Sequence, residues 1–220
     1  MKYLANENRN VSYLDNFLLE KNGDLKIVES RLLKSLQIND LQAWCKLRGI
    51  YCLPTKELIF WLKEEINNRL ALEICAGIGL IGRHLNIKST DGYHQASPEM
   101  VNFYKFIKQG PIMPPPDVEK FEANDAVDFY NPQVVIGSYV TQKCDENKKT
   151  TSSLRGVDEI SLLKKIQTYI FIGNKDEHGN KTILEKPHRI YQFDWLFTRS
   201  DNPKNNLIYV LENINYQSNS

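Results

Sequence analysis

Residues 70–83, with the sequence LALEICAGIGLIGR, decide the fold of this chain. A short apolar run carrying one acid, Glu73, is long enough for a buried strand. It ends at residues 76–79 (AGIG), and helix-compatible residues follow over 80–85. A strand, a glycine turn and a helix start, in that order, predict the first βα unit of an open α/β sheet. Such a turn lets a ligand lie against the backbone, and the helix N-terminus offers N–H groups to it.

Strand and helix patterns alternate along the rest of the chain. Further strands are predicted at residues 87–91, 118–121, 134–140, 169–172, 191–198 and 207–211. Helices are predicted from residue 39 or 40 to Gly49, at 56–67 behind Thr55 as N-cap, from Pro98 behind Ser97 to Gly110, at 125–130 and at 157–166. Residues 143–155 and 175–180 read as a loop and a turn, and one short helix is expected within 181–188.

These patterns predict a Rossmann-like, three-layer α/β sandwich. Its sheet is expected to be mostly parallel, with an antiparallel strand in a C-terminal hairpin. We expect residues 1–54 to form an N-terminal helical extension that covers the ligand cleft, and residues 55–215 to form the α/β domain.

Composition argues against several classes of partner. The 220 residues have a formal net charge of +1, so no bulk electrostatic attraction indicates nucleic acid or a membrane surface. The four cysteines show no zinc-ligand spacing, which favours reduced thiols and no metal. No apolar run approaches the ~20 residues that span a bilayer, and the N-terminus lacks a signal-peptide profile. We therefore expect a cytoplasmic protein with no membrane partner.

The glycine turn also opens a family motif. An acid on the first strand followed by glycines, here residues 73–79 (EICAGIG), resembles the first motif of the class I S-adenosylmethionine-dependent methyltransferases. That family has a Rossmann-like fold of seven strands, the last of which is antiparallel. The resemblance covers about residues 55–215.

Three later positions match further landmarks of the family. Asp91, at the end of the second predicted strand, matches the acid that binds the ribose hydroxyls of the cofactor. Glu122-Ala123 matches a polar residue and alanine beside the adenine, and residues 137–141 (GSYVT) match the loop where methyl transfer takes place. The resemblance implies S-adenosylmethionine as cofactor, contacted by Glu73, Ala76, Gly77, Gly79, Asp91, Glu122, Ala123 and Ser138.

Three residues are candidates for a catalytic role, two of them from the same resemblance. Tyr139 and Thr141 lie where the methyl acceptor is expected, although an aromatic residue at a strand end also suits packing. His188 is a candidate general base, with a surface position as the plainer interpretation. Glu73 is expected either to face the cofactor's ammonium group or to orient the glycine turn.

Alternative functions fit parts of the pattern. Residues 77–82 (GIGLIG) also satisfy the dinucleotide fingerprint GxGxxG, but Asp91 is closer to it than the ~20 residues usual for a nicotinamide site. A methyltransferase fold can also bind its cofactor without catalysis. The Asn/Asp-Pro-Pro-Tyr/Phe signature of exocyclic-amine methylation is absent. Methyl transfer to a small molecule or a protein side chain is therefore the favoured function, with non-catalytic cofactor binding and then an NAD(P)-dependent oxidoreductase as alternatives.

Overall fold

A computed structural model of the chain describes residues 10–107, 111–144 and 152–216. Within these ranges the α-helices are α1 (Asp15–Leu18), α2 (Ser30–Ser35), α3 (Ile38–Leu47), α4 (Lys56–Ile66), α5 (Leu80–Leu85), α6 (Pro98–Phe106), α7 (Ala123–Tyr130), α8 (Glu159–Leu163) and α9 (Lys175–His178). The strands are β1 (Cys52–Leu53), β2 (Ala71–Ile74), β3 (Lys88–Asp91), β4 (Val118–Lys120), β5 (Val134–Ser138), β6 (Gln142–Lys143), β7 (Ser152–Ser153), β8 (Thr168–Asn174), β9 (His188–Tyr191), β10 (Phe197–Thr198) and β11 (Asn206–Glu212).

Seven of the described strands form one sheet in the order β4-β3-β2-β5-β8-β11-β9. The first five strands of this order are parallel, and β11 is antiparallel to both of its neighbours, β8 and β9. After β2 the chain builds outwards to β4 and then returns to the other side of β2 with β5. Strand order therefore reverses beside β2, and open α/β sheets bind ligands at the carboxyl ends of strands at such a point. The predicted fold class is confirmed.

Helices cover both faces of the sheet, which gives three layers. On one face, apolar side chains of α4 and α5 such as Leu62 and Ile81 pack against β5 and β8. On the other face, α7 and α8 contribute Ala126 and Leu162 to a second buried cluster. Side chains of successive strand residues alternate between these clusters, as the pleat requires.

The N-terminal residues form a third apolar cluster against the sheet domain. Trp44 of α3 lies fully buried in it, together with Leu80 of α5 and Phe197 of β10. Strand β1 pairs antiparallel with β10, so that Cys52 lies opposite Thr198. These contacts fix the segment that precedes α4 against the end of the sheet.

Local sequence signals predicted the starts of two helices correctly. Thr55 caps α4, and its hydroxyl accepts a hydrogen bond from the Leu58 amide. Ser97 caps α6 in the same way, with Pro98 as its first residue. That helix ends at Phe106, with Ile107 as its C-cap, and so stops before the expected end at Gly110. The two helix starts depend on contacts within one helical turn, which explains why they can be predicted from the sequence.

The strand predicted at residues 191–198 is wrong. The sheet strand β9 ends at Tyr191, and β10 pairs with β1 in a separate two-stranded ribbon. The rings of Tyr191, Phe193 and Trp195 stack on one another in succession instead. The alternating aromatic pattern therefore reflects this stack, which packs against the core beside α4, rather than pairing with another strand.

Three shorter predictions also differ from the structure. The helix expected over 157–166 is confined to α8, and the turn expected at 175–180 begins with the helix α9. In the predicted loop 143–155, β6 and β7 pair in parallel, while residues 145–151 lie outside the described part of the chain. Short elements of this kind depend on neighbours distant in sequence, which a local pattern does not contain.

We expect Gly79→Ala to destabilise the protein strongly. The residue has a φ of +69°, and an added Cβ would lie 2.5 Å from Val118 Cγ2 on β4. Strain and overpacking together should lower the free energy of unfolding by about 2–4 kcal/mol in urea titrations. Gly23→Ala is the matched control, because Gly23 has a φ of +89° but no atom within 4 Å of an added Cβ. It should cost only about 1 kcal/mol, and equal losses in the two variants would contradict the packing argument.

Candidate functional site

A cavity of about 320 Å³ lies at the carboxyl ends of β2, β3, β4 and β5, beside the point where strand order reverses. This volume is at the lower end of the ~300–1,000 Å³ typical of small-ligand sites. Five short segments and one helix contribute most of its lining: residues 49–52, the turn at 75–78, residues 91–95, 122–123 and 138–141, and α6.

Glu73 fixes the glycine turn from below. Its carboxylate is 3% exposed and accepts hydrogen bonds from the Gly82 amide at 2.8 Å and the Ser89 hydroxyl at 2.7 Å. The first turn of α5 therefore already donates to a carboxylate of the protein. The sequence predicted free N–H groups for a ligand there, and the structure corrects that expectation at Gly82. Of the two roles expected for Glu73, these contacts fit orientation of the turn.

The two glycines of the turn have different surroundings. Gly77 lines the cavity, and an added Cβ would meet only Ile112 Cγ2, at 3.5 Å. Gly79 is buried against Val118 of β4 and does not line the cavity. The sequence proposed both as cofactor contacts, but only Gly77, together with Ala76, is placed to meet a ligand.

Asp91 lies at the carboxyl end of β3 and faces the turn. Its two carboxylate oxygens accept hydrogen bonds from the Gly77 amide at 2.9 Å and the Tyr93 amide at 2.7 Å. Burial raises the pKa of Asp91, and these two amides act in the opposite direction. A carboxylate has about four lone-pair sites, so each oxygen can accept a further hydrogen bond from a ligand in the cavity.

A second acidic residue follows β4. The Glu122 carboxylate lies 2.9 Å from Nε2 of His94, and both side chains line the cavity beside Asp91. Ala123, the next residue, is buried at the start of α7 and also lines it. The structure therefore brings Asp91, Glu122 and Ala123 together at one end of the cavity.

The loop after β5 forms another wall through Ser138, Tyr139 and Thr141. The Tyr139 hydroxyl lies 2.8 Å from Thr198 Oγ1, and Thr198 donates its own proton to Asn206 Oδ1. Tyr139 is therefore the donor, and burial raises the pKa of its hydroxyl. Tyr139 offers the cavity its ring, not a free hydroxyl for acid–base chemistry.

His188 is not part of this site. It lies on β9, an edge strand of the sheet, where its ring contacts Tyr209 and its Nδ1 is 2.7 Å from the Lys186 carbonyl. The cavity lining does not include it. The local sequence around His188 does not indicate at which edge of the sheet this residue will lie. Sequence reasoning therefore assigned it to the site incorrectly.

The N-terminal segment supplies a wall residue that sequence reasoning missed. Tyr51 lines the cavity, with its ring centroid 5.5 Å from that of Tyr139. The Arg199 guanidinium covers the Tyr51 ring at 3.6 Å, and the Arg199 amide donates to the Tyr51 carbonyl. No signal in the sequence indicated this contact, because the partner of Tyr51, Arg199, is distant in sequence.

The proline-rich segment contacts the turn through one side chain. Ile112 is 2% exposed, and its side chain leaves no room for a Cβ at Gly49. The same side chain lies against Gly77. Ile112 therefore joins the N-terminal segment to the glycine turn.

Other kinds of site find no support in the described ranges. No group of three or more potential metal-ligating side chains occurs there. All four cysteines are free thiols. None of the described helices is both long and apolar enough to cross a membrane.

The sheet decides the fold. In chain order the first of the seven sheet strands is β2, and the glycine turn follows it directly. The last strand in chain order, β11, is antiparallel and lies beside the fifth, β8. The fold is that of the class I S-adenosylmethionine-dependent methyltransferases.

Comparisons with known proteins found similarity to solved structures alone. No protein-family model and no curated protein matches the sequence. Among solved structures, protein 1320 of Thermoplasma acidophilum is 13% identical, with a TM-score of 0.41 over 81% of this chain and 98% of that one. An rRNA methylase of Streptococcus thermophilus is 15% identical, with a TM-score of 0.38 over 70% and 93%. A DNMT2 mutant of Spodoptera frugiperda is 12% identical, with a TM-score of 0.35. The match covers 64% of this chain and 48% of that one.

We expect stability to depend on pH through Glu73. Burial raises the pKa of its carboxyl from the ordinary 4.5 to about 7. Between these pH values the folded state binds more protons than the unfolded state, so stability falls as pH rises. Relative to Glu73→Gln, the wild type should lose about 3 kcal/mol of unfolding free energy from pH 4.5 to pH 7. Urea titrations of both proteins across this range test it, and a difference independent of pH would contradict it.

Proposed function

We propose that this protein is an S-adenosylmethionine-dependent methyltransferase. The observation that carries the proposal is Asp91, a buried carboxylate whose oxygens reach the glycine turn and still have lone pairs for a ligand. The ribose diol of S-adenosylmethionine offers two hydroxyl donors, and charged acceptors form the stronger hydrogen bonds. Asp91 ends β3 at the carboxyl edge of the sheet, and open α/β sheets bind ligands at this edge.

The remaining cofactor contacts follow from the same end of the cavity. Ala76 and Gly77 would lie against the ligand, and Glu122 with Ala123 would border its adenine. Glu73 would act indirectly by keeping the turn in place, and Ser138 would contact the ligand from the loop after β5. When bound, S-adenosylmethionine supplies a methyl group activated by a sulfonium.

We assign the acceptor side to Tyr139, Thr141 and Tyr51. All three line the cavity, and the rings of the two tyrosines are in contact. Since the Tyr139 hydroxyl already donates to Thr198, its contribution is to position the acceptor with the ring face. Methyl transfer needs in-line placement of the acceptor, and placement can supply much of the rate. The acceptor we propose is a small molecule or a protein side chain.

The N-terminal residues complete the proposed site. We propose 1–54 as an extension that covers the cofactor cleft and 55–215 as the methyltransferase-like domain. Gly49 and Tyr51 line the cavity, and β1 joins this segment to β10. A cofactor-binding protein without catalysis would use the same contacts, and an NAD(P)-dependent enzyme would use the same turn.

Isothermal titration with S-adenosylmethionine, S-adenosylhomocysteine and NAD separates these functions at the level of the cofactor. We expect dissociation constants in the micromolar range, about −8 kcal/mol, for the first two ligands and no heat with NAD. Binding of NAD alone would indicate that the glycine turn binds a dinucleotide, as in the NAD(P)-dependent alternative. No binding of any of the three would contradict the proposal.

Asp91→Ala should weaken the binding of S-adenosylmethionine. Loss of a charged hydrogen-bond partner is worth about 1–3 kcal/mol, or about 5- to 150-fold in the dissociation constant. Asp117→Ala is the control, because Asp117 is an exposed aspartate whose ion pair with Arg83 lies outside the cavity. Asp91→Asn keeps an oxygen for the Gly77 amide, and so separates loss of charge from loss of the turn. An unchanged affinity in Asp91→Ala would remove Asp91 from the site.

A further inference from the structure

A buried ion pair lies behind the loop that follows β5. Nζ of Lys181 is 2.8 Å from Oε1 of Glu159, and the two residues are 5% and 3% exposed. The hydroxyl of Tyr169 donates to the same carboxylate oxygen at 2.8 Å. None of these three residues lines the cavity.

Lys181 reaches the loop directly. Its ammonium donates a hydrogen bond to the Val140 carbonyl at 2.6 Å and lies 3.9 Å from the centroid of the Phe171 ring. The next residue, Thr182, donates its amide to Gln142 Oε1 at 2.8 Å. Residues 181–182 therefore hold the loop at two points, and neither residue lines the cavity.

Stability alone does not account for such a pair. Burial raises the pKa of Glu159 and lowers that of Lys181, so it opposes both charges, and their mutual contact offsets part of this cost. Replacement of a buried ion pair by uncharged residues of similar volume is often neutral or stabilising. The geometric consequence of this pair is an ammonium group fixed at the carbonyl of Val140.

The backbone beside that carbonyl is strained. Tyr139 has a φ of +56°, in the left-handed region that non-glycine residues avoid. Such residues persist only when their surroundings constrain them. At Tyr139 the constraints are its amide, which donates to the Ile172 carbonyl, its hydroxyl, which donates to Thr198, and the neighbouring Val140 carbonyl, which accepts from Lys181. Further along, the Thr141 carbonyl accepts from the Val157 amide.

We propose that Lys181 is a positioning residue for the acceptor side of the cavity, where it fixes the Val140 carbonyl and so keeps the Tyr139 ring and Thr141 at the cavity wall. Glu159 serves Lys181 by compensating its buried charge. The inference rests on the proposed function in one respect, that the loop at 138–141 is where the acceptor binds.

The test compares three variants by amide hydrogen exchange and urea unfolding of the ligand-free protein. Lys181→Met with Glu159→Gln removes the ammonium without leaving an unpaired buried carboxylate. Glu159→Gln alone is the matched control: without the carboxylate the buried Lys181 should lose its charge, but a neutral amine still donates a hydrogen bond, so the Val140 contact is kept. Lys165→Met with Asp128→Asn removes an exposed ion pair, whose atoms lie 2.7 Å apart, as a control for the loss of charge.

In the double variant at 159 and 181 we expect exchange over residues 138–143 to be at least about tenfold faster than in the wild type, since local exchange reports local opening. Its urea midpoint and the exchange of β8 and β11 should stay as in the wild type. Both controls should leave the loop's exchange within about twofold.

Wild-type protection of residues 138–143 in the double variant would overturn the proposal. Equal acceleration in the loop, β8 and β11 would also overturn it, because Lys181 would then support the whole domain and not the loop. Because no ligand is present in this experiment, its result is independent of cofactor binding. Failure of the wild type to bind S-adenosylmethionine would refute the proposed function, whereas only the exchange pattern decides the role of Lys181.

Discussion

One buried carboxylate connects the elements on which the cavity depends. Glu73 joins β2 to the first turn of α5 through Gly82 and to β3 through Ser89. The contact requires a residue without a side chain at Gly82, because a Cβ there would lie 2.0 Å from the Ser89 hydroxyl oxygen. Strand, helix and neighbouring strand therefore form one unit around a single acid. Asp91, at the end of the same β3, accepts a hydrogen bond from the Gly77 amide and so contacts the glycine turn from the cavity.

The cavity built on this unit has two chemically different ends. Near β3 and β4 it presents carboxylates, those of Asp91 and Glu122, with His94 beside them. Near β5 it presents the rings of Tyr51 and Tyr139, and the Tyr139 hydroxyl donates to Thr198 outside the cavity. A ligand with a diol and positive charge suits the first end, and a group held by its shape suits the second. This asymmetry fits the proposed transfer between two bound molecules, which depends on placing both of them.

The sequence predicted what local chemistry determines. The unit from β2 to α5, the caps at Thr55 and Ser97 and the alternation of strands with helices were all readable, because each depends on residues within a few positions. Long-range partners were not readable. The aromatic alternation after Tyr191 resembles a strand until its stacking partners are known. For the same reason Gly79 was assigned to the ligand, whereas its neighbour is Val118, and the loop's dependence on Lys181 had no signal at all.

The pairing of β1 with β10 has a consequence for the order in which the molecule is completed during synthesis. Tyr51 and Tyr139 are both synthesised before Thr198, which binds the Tyr139 hydroxyl, and before Arg199, which covers the Tyr51 ring. A nascent chain can form the glycine turn, with Asp91 beside it, long before either tyrosine has its final partner. The wall near β5 therefore cannot be complete until residues 198–199 have been synthesised.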